Sequence, residues 1–169
     1  MSYTTDLGLY IDGSWRKREG RDCHAVVNPA TGETLAELPL ANAADLDEAL
    51  AATAKGFAYW RAVDVNARAA ILHKVADLIR ERAEGIAVLL TTEQGKPLAE
   101  ARTEVLSCAA QFDYFAEEAK RSYGRVLVRP TGQRAIVVKQ PVGPGEALGH
   151  DALQIGQLPR PQGILAFTS

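Results

Sequence analysis

The sequence predicts an α+β chain: two small β-hairpins, then a cluster of three helices, then a long β-hairpin. Three observations carry this. Asp12-Gly13 lies between the apolar-rich arms Leu9-Tyr10-Ile11 and Ser14-Trp15, and Asp-Gly suits a two-residue turn because both turn positions take positive φ. From Leu98 the apolar residues Leu98, Ala101, Val105, Cys108, Phe112, Phe115 and Ala119 recur in steps of three and four, which draws one stripe along a helix. After Gly124 that period gives way to two Val- and Ile-rich arms, 125–129 and 135–140, separated by Pro130-Thr131-Gly132-Gln133.

The remaining elements follow in order. Val26-Val27 and Leu35 to Leu38 flank Asn28-Pro29-Ala30-Thr31-Gly32, which reads as a second, longer turn. Asn42 is placed to cap the first helix, with Asp45 near its free amides and positive end. Leu46, Leu50, Phe57 and Trp60 share one face of it. The second helix starts after Asn66 and carries Ile71, Val75, Leu78 and Ile79 inward. A break or bend is expected at Glu84-Gly85, with Ile86, Leu89 and Leu90 continuing the apolar face to Gln94. Gly95 supplies the left-handed residue a helix end needs, and Pro97 opens the third helix, where its missing amide costs nothing. That helix runs to Gly124, with Glu117 and Arg121 in the favourable i, i+4 order.

A chain of 169 residues forms about one domain and can bury a core. At 47% apolar and 24% charged it is an ordinary globular mixture, which argues against disorder. A net charge of −2 gives no attraction for nucleic acid. The longest aliphatic run, Ile86 to Leu90, is far too short to span a bilayer. Met1 to Asp6 has neither the basic region nor the apolar core of a signal peptide, and two cysteines make no disulfide framework, so a cytoplasmic location is expected.

Few residues invite a chemical role. Gly143-Pro144-Gly145 follows an expected strand, but the next glycine, Gly149, comes one position late for a dinucleotide loop. A Gly/Pro loop is the better reading. Cys108 lies on an apolar stripe, where a thiol is core, not nucleophile. Cys23-His24 has no second ligand pair for zinc. His73 reads as a solvated helical histidine, with general base catalysis a poor second, and Lys96 as exposed and structural. Glu93 would act as an acid only in a cleft that raised its pKa, and His150-Asp151 has no activated serine to serve.

Several runs resemble the NAD(P)-dependent aldehyde dehydrogenases. These are Ile11 to Trp15 (IDGSW), Asn28 to Glu33 (NPATGE), Glu93 to Ala101 (EQGKPLAEA) and Pro141 to Pro144 (PVGP), in that order; Phe115 to Arg121 (FAEEAKR) is similar to the succinate-semialdehyde branch. The resemblance covers residues 9–144 and implies the N-terminal segment of that fold, without a complete Rossmann domain. Residues 145–169 depart from the family pattern and are expected to form an irregular tail, from an insertion with truncation or a change of reading frame.

The family oxidises an aldehyde to the acid through a thiohemiacetal on cysteine, with hydride passing to NAD(P)⁺ and a glutamate activating water. The resemblance places the cysteine, the glutamate and the cofactor segments beyond the matching stretch. No catalytic, cofactor-binding or metal residue is therefore expected in this chain, and no bound NAD or NADP. The third helix of the family approaches the substrate tunnel, which puts Ser107 and Gln111 nearest a substrate surface. Partners implied are a second copy, or a full-length aldehyde dehydrogenase subunit joined through the long hairpin. The reading is a truncated family member, inactive alone. The alternatives are a non-catalytic module docking on a full-length relative and a remnant without function.

Overall fold

A computed structural model describes residues 6–130, 132–148 and 164–168. The element order is β1 (Leu9–Ile11), β2 (Ser14–Arg16), β3 (Cys23–Val27), β4 (Thr34–Pro39), α1 (Ala43–Trp60), α2 (Val65–Glu81), α3 (Ala83–Gln94), α4 (Leu98–Ala119), β5 (Arg125–Val128), β6 (Arg134–Val137), β7 (Pro144–Leu148) and β8 (Ile164–Thr168). Among the described residues the strands form four separate antiparallel pairs, each of consecutive strands.

The turns are where local chemistry demanded them. Asp12 and Gly13 take φ 45° and 79°, and Ile11 pairs with Ser14 across them. In the β3–β4 turn, Asn28 Oδ1 accepts the Ala30 amide at 2.9 Å, and the Gly32 amide donates to the Asn28 carbonyl at 2.8 Å. Arg125 to Val128 pairs with Arg134 to Val137, so the β5–β6 hairpin is shorter than the expected arms 125–129 and 135–140. The region expected to be an irregular tail is partly regular: Pro144 to Leu148 pairs with Ile164 to Thr168. His150 and Asp151 lie outside the described residues.

The helical region has four helices, not three. Asn42 caps α1 as expected: the Asp45 amide donates to Asn42 Oδ1 (3.0 Å) while the Asn42 amide donates to Asp45 Oδ2 (2.9 Å). Such a reciprocal box is worth about 1 kcal/mol of helix stability. Helix α2 starts at Val65, earlier than the expected start after Asn66, and Asp64 caps it; its Oδ1 accepts from the amides of Asn66 and Ala67. The break after α2 falls at Arg82 (φ −101°, ψ 7°), and Gly85 is helical within α3. Gly95 ends α3 with φ 74° and ψ 8°. Helix α4 stops at Ala119, five residues before Gly124.

The core lies where α3 and α2 meet α4. Ala87, Leu90, Ala101 and Val105 form its centre, with Ile79, Ala83, Ile86 and Leu98 packed on it. Helix α2 packs most extensively against α4. Its buried residues are Ala69 and Ala76, and those of α4 include Ala109 and Ala116. Small side chains let helix axes approach closely. The expectation from large residues is corrected accordingly: Ile71 is exposed, as are Leu46 and Leu50 on α1 and Phe115 on α4. On α4 the expected stripe holds at Ala101, Val105 and Cys108, which are buried, and fails at Phe115; Ala109 and Ala116, outside the stripe, complete the buried face.

Candidate functional site

Helix α4 carries Ser107 and Gln111, the two residues expected nearest a substrate surface. Ser107 and Gln111 are one turn apart and both exposed. Leu106, Tyr114 and Phe115 are exposed beside them, with the Tyr114 and Phe115 rings edge to face at 5.3 Å. The outward side of α4 is therefore a mixed apolar and hydroxyl/amide surface with no charged group at its centre. Its centre carries hydroxyl and amide groups and no carboxylate, imidazole or thiol. The structure brings Ser107 and Gln111 together on this face.

The opposite edge of α4 carries a charged network that sequence reasoning missed. His73 of α2 points one ring nitrogen at each of two carboxylates on α4: Nδ1 to Asp113 Oδ1 at 2.7 Å and Nε2 to Glu117 Oε1 at 3.0 Å. Arg80 donates to Asp113, and Lys120 donates to Glu117 at 2.7 Å. The two carboxylates hold His73 above the usual histidine range, Asp113 contributing most. Arg80 and then His73 hold Asp113 below the usual carboxylate range; Lys120 and then His73 do so for Glu117. His73 is thus ion-paired, not merely solvated. Glu117 pairs with Lys120, and Arg121 pairs with Glu118, in place of the expected Glu117–Arg121 pair. Asp113 and Glu117 stand one turn apart beside the buried stripe. That placement hinted at a partner, though nothing in the sequence pointed to His73.

The two thiols differ in exposure. Cys108 is buried, and burial, with a smaller push from Glu104, raises its pKa. Cys23 is exposed, with its thiol 3.7 Å from the Arg21 carbonyl. Among the described residues no cluster of His, Cys, Asp or Glu could hold a metal ion. Lys96 is half-buried and pairs with Glu104, which corrects the exposed placement. Pro144 and Gly145 of the glycine loop open strand β7, where a dinucleotide loop would instead open a helix, and Gly149 lies outside the described residues.

The Asn28–Gly32 turn and the end of α3 meet. A methyl group built on Gly95 would lie 3.0 Å from Pro29 Cγ, so the end of α3 rests on the Asn28–Gly32 turn. Two of the motifs that carry the resemblance are thus one packed unit.

Residues 15–149 match the profile of the Aldehyde dehydrogenase family. The chain belongs to the aldehyde dehydrogenase family. It is 48% identical over 137 residues to 4-(hydroxymethyl)benzenesulfonate dehydrogenase TsaD1 of Comamonas testosteroni, a match covering 80% of this chain and 29% of that protein. Its identity to glutarate-semialdehyde dehydrogenase of Pseudomonas putida is 41% over 135 residues, 79% of this chain and 28% of the relative. Among solved structures, succinate-semialdehyde dehydrogenase from Burkholderia pseudomallei superposes with TM-score 0.77 at 40% identity, over 81% of this chain and 29% of that one. The chain spans less than a third of the length of these relatives. Its fold is an N-terminal fragment of the aldehyde dehydrogenase fold. No described helix is long and apolar enough to cross a membrane.

Proposed function

We propose that this chain is the N-terminal segment of an NAD(P)-dependent dehydrogenase for aldehydes that carry a remote acidic group, and that these 169 residues do not run the reaction by themselves. The substrate class is supported by the relatives' names. 4-(Hydroxymethyl)benzenesulfonate, glutarate semialdehyde and succinate semialdehyde each carry an acidic group away from the carbon oxidised, the first as an alcohol and the other two as aldehydes. In this reading Ser107 and Gln111 face the substrate path. NAD or NADP, the implied hydride acceptor, has no fitting cradle in the described residues. The exposed strands β5 and β6 support self-association or docking onto a full-length aldehyde dehydrogenase subunit, in the cytoplasm.

The observation that carries the inactivity is the burial of Cys108. Aldehyde oxidation needs a thiolate and a hydride acceptor held together, a positioning effect of roughly 7–11 kcal/mol. A buried thiol with a raised pKa and no acceptor site cannot offset that loss. The test incubates the purified chain with succinate or glutarate semialdehyde and either NAD⁺ or NADP⁺, following the absorbance of reduced cofactor. Cys23→Ser and Cys108→Ser variants run alongside. No signal above the buffer blank is expected. Turnover that disappears in either variant would place a catalytic site within these residues and overturn the reading.

A further inference from the structure

The histidine between the two carboxylates has a consequence independent of the reading above. A neutral imidazole carries one N–H and one lone pair, whereas an imidazolium carries two N–H donors. His73 has a carboxylate oxygen at each nitrogen, at 2.7 and 3.0 Å. Only the imidazolium can donate to both. In the neutral form one contact becomes a lone pair facing an anion.

We propose that His73 is a proton-operated clasp: charged, it ties α2 to α4 through Asp113 and Glu117 together, and on losing its proton it lets one of them go. The charges that act on His73 are those two carboxylates of α4. Behind them, Arg80 of α2 holds Asp113, Asp77 lies against Arg80 at 3.4 Å, and Lys120 holds Glu117. Each carboxylate therefore keeps a cation when the clasp opens. The result is a looser helix pair, not an unpaired charge. The arrangement is not a metal site, because the carboxylates sit at opposite nitrogens of the ring and do not converge on one point.

The sign follows from the folded-state pKa lying above the ordinary 6.5. The stabilisation is complete below 6.5 and is lost as pH rises through the higher folded value. His73, Asp113 and Glu117 are each a third or more exposed, so the effect is modest and weakened by salt.

Urea unfolding of the full chain and of His73→Gln tests this across about pH 6 to about pH 9, a range in which the carboxylates stay ionised. The folding constant of the wild type should exceed that of the variant at the acid end, and the ratio should shrink several-fold toward the alkaline end. A ratio independent of pH would mean a purely packing role and would overturn the clasp. Proton-detected NMR of the wild type gives a second reading that needs no His73 variant. The His73 titration midpoint should lie above 6.5 and fall in both Asp113→Asn and Glu117→Gln. A midpoint at or below 6.5, or one indifferent to both substitutions, also overturns it.

Discussion

At the scale of single residues, glycines separate the positions where backbone decides from those where it does not. Gly95 has φ 74° and its missing Cβ would press on Pro29, so both the backbone and the space exclude a side chain. Gly95→Ala should lose about 1–2 kcal/mol of stability in urea unfolding. Gly56, inside α1 with nothing within 4 Å of its ideal Cβ, is the opposite case. Gly56→Ala should gain roughly 0.5–1 kcal/mol by helix propensity. An unchanged or raised midpoint for Gly95→Ala would show that the turn relaxes without cost. Residues acting within a turn or two of themselves were legible in the sequence: Asn42 with Asp45, Asp12-Gly13, Gly95. Those acting across the chain were not. Asp45 is also gripped by Arg21, whose hydrogen bonds and the capping amide of Asn42 draw its pKa down to about 2. Nothing local links residues 21 and 45, just as nothing local links His73 to Asp113.

At the scale of elements, helices were more legible than their boundaries and faces. Type and order were readable from period alone. The division between α2 and α3 was not, because Arg82 has neither glycine's freedom nor proline's clash to mark it. The faces were misjudged where alanine does the packing. Periodicity found Ala101, Val105 and Cys108, but it also pointed to Ile71 and Phe115, which are exposed, and passed over Ala69, Ala76, Ala109 and Ala116, which are buried. This leads to a direct experiment. Ala109 is fully buried on α4, and Ala109→Leu adds three carbons to a contact with no room. It should cost about 1–3 kcal/mol by forcing the helices apart. Leu106→Ala, one turn earlier on the exposed face, should fall within about 0.5 kcal/mol of the wild type. Equal effects would mean that the two faces of α4 are not distinguished as described.

At the scale of the whole molecule, apolar surface is left uncovered among the described residues. Strands β5 and β6 pair only with each other, and Val128 is 90% exposed, with Val126 and Ile136 also open. Unpaired edges beside apolar side chains favour association. Sedimentation velocity of the chain should show a concentration-dependent shift to larger species, and a Val126→Lys, Val128→Lys double variant should suppress it. A single monomeric boundary at all concentrations would count against that surface. The alanines buried between α2 and α4 have a different outcome. Their methyl groups let the two rods lie close but do little to index one against the other, so that task passes to Ile79 beside the core and to the ion pairs at the rim, His73 and Arg80 with Asp113. The setting of α4 along α2, and with it the position of the surface bearing Ser107 and Gln111, is then shared between packing and charge.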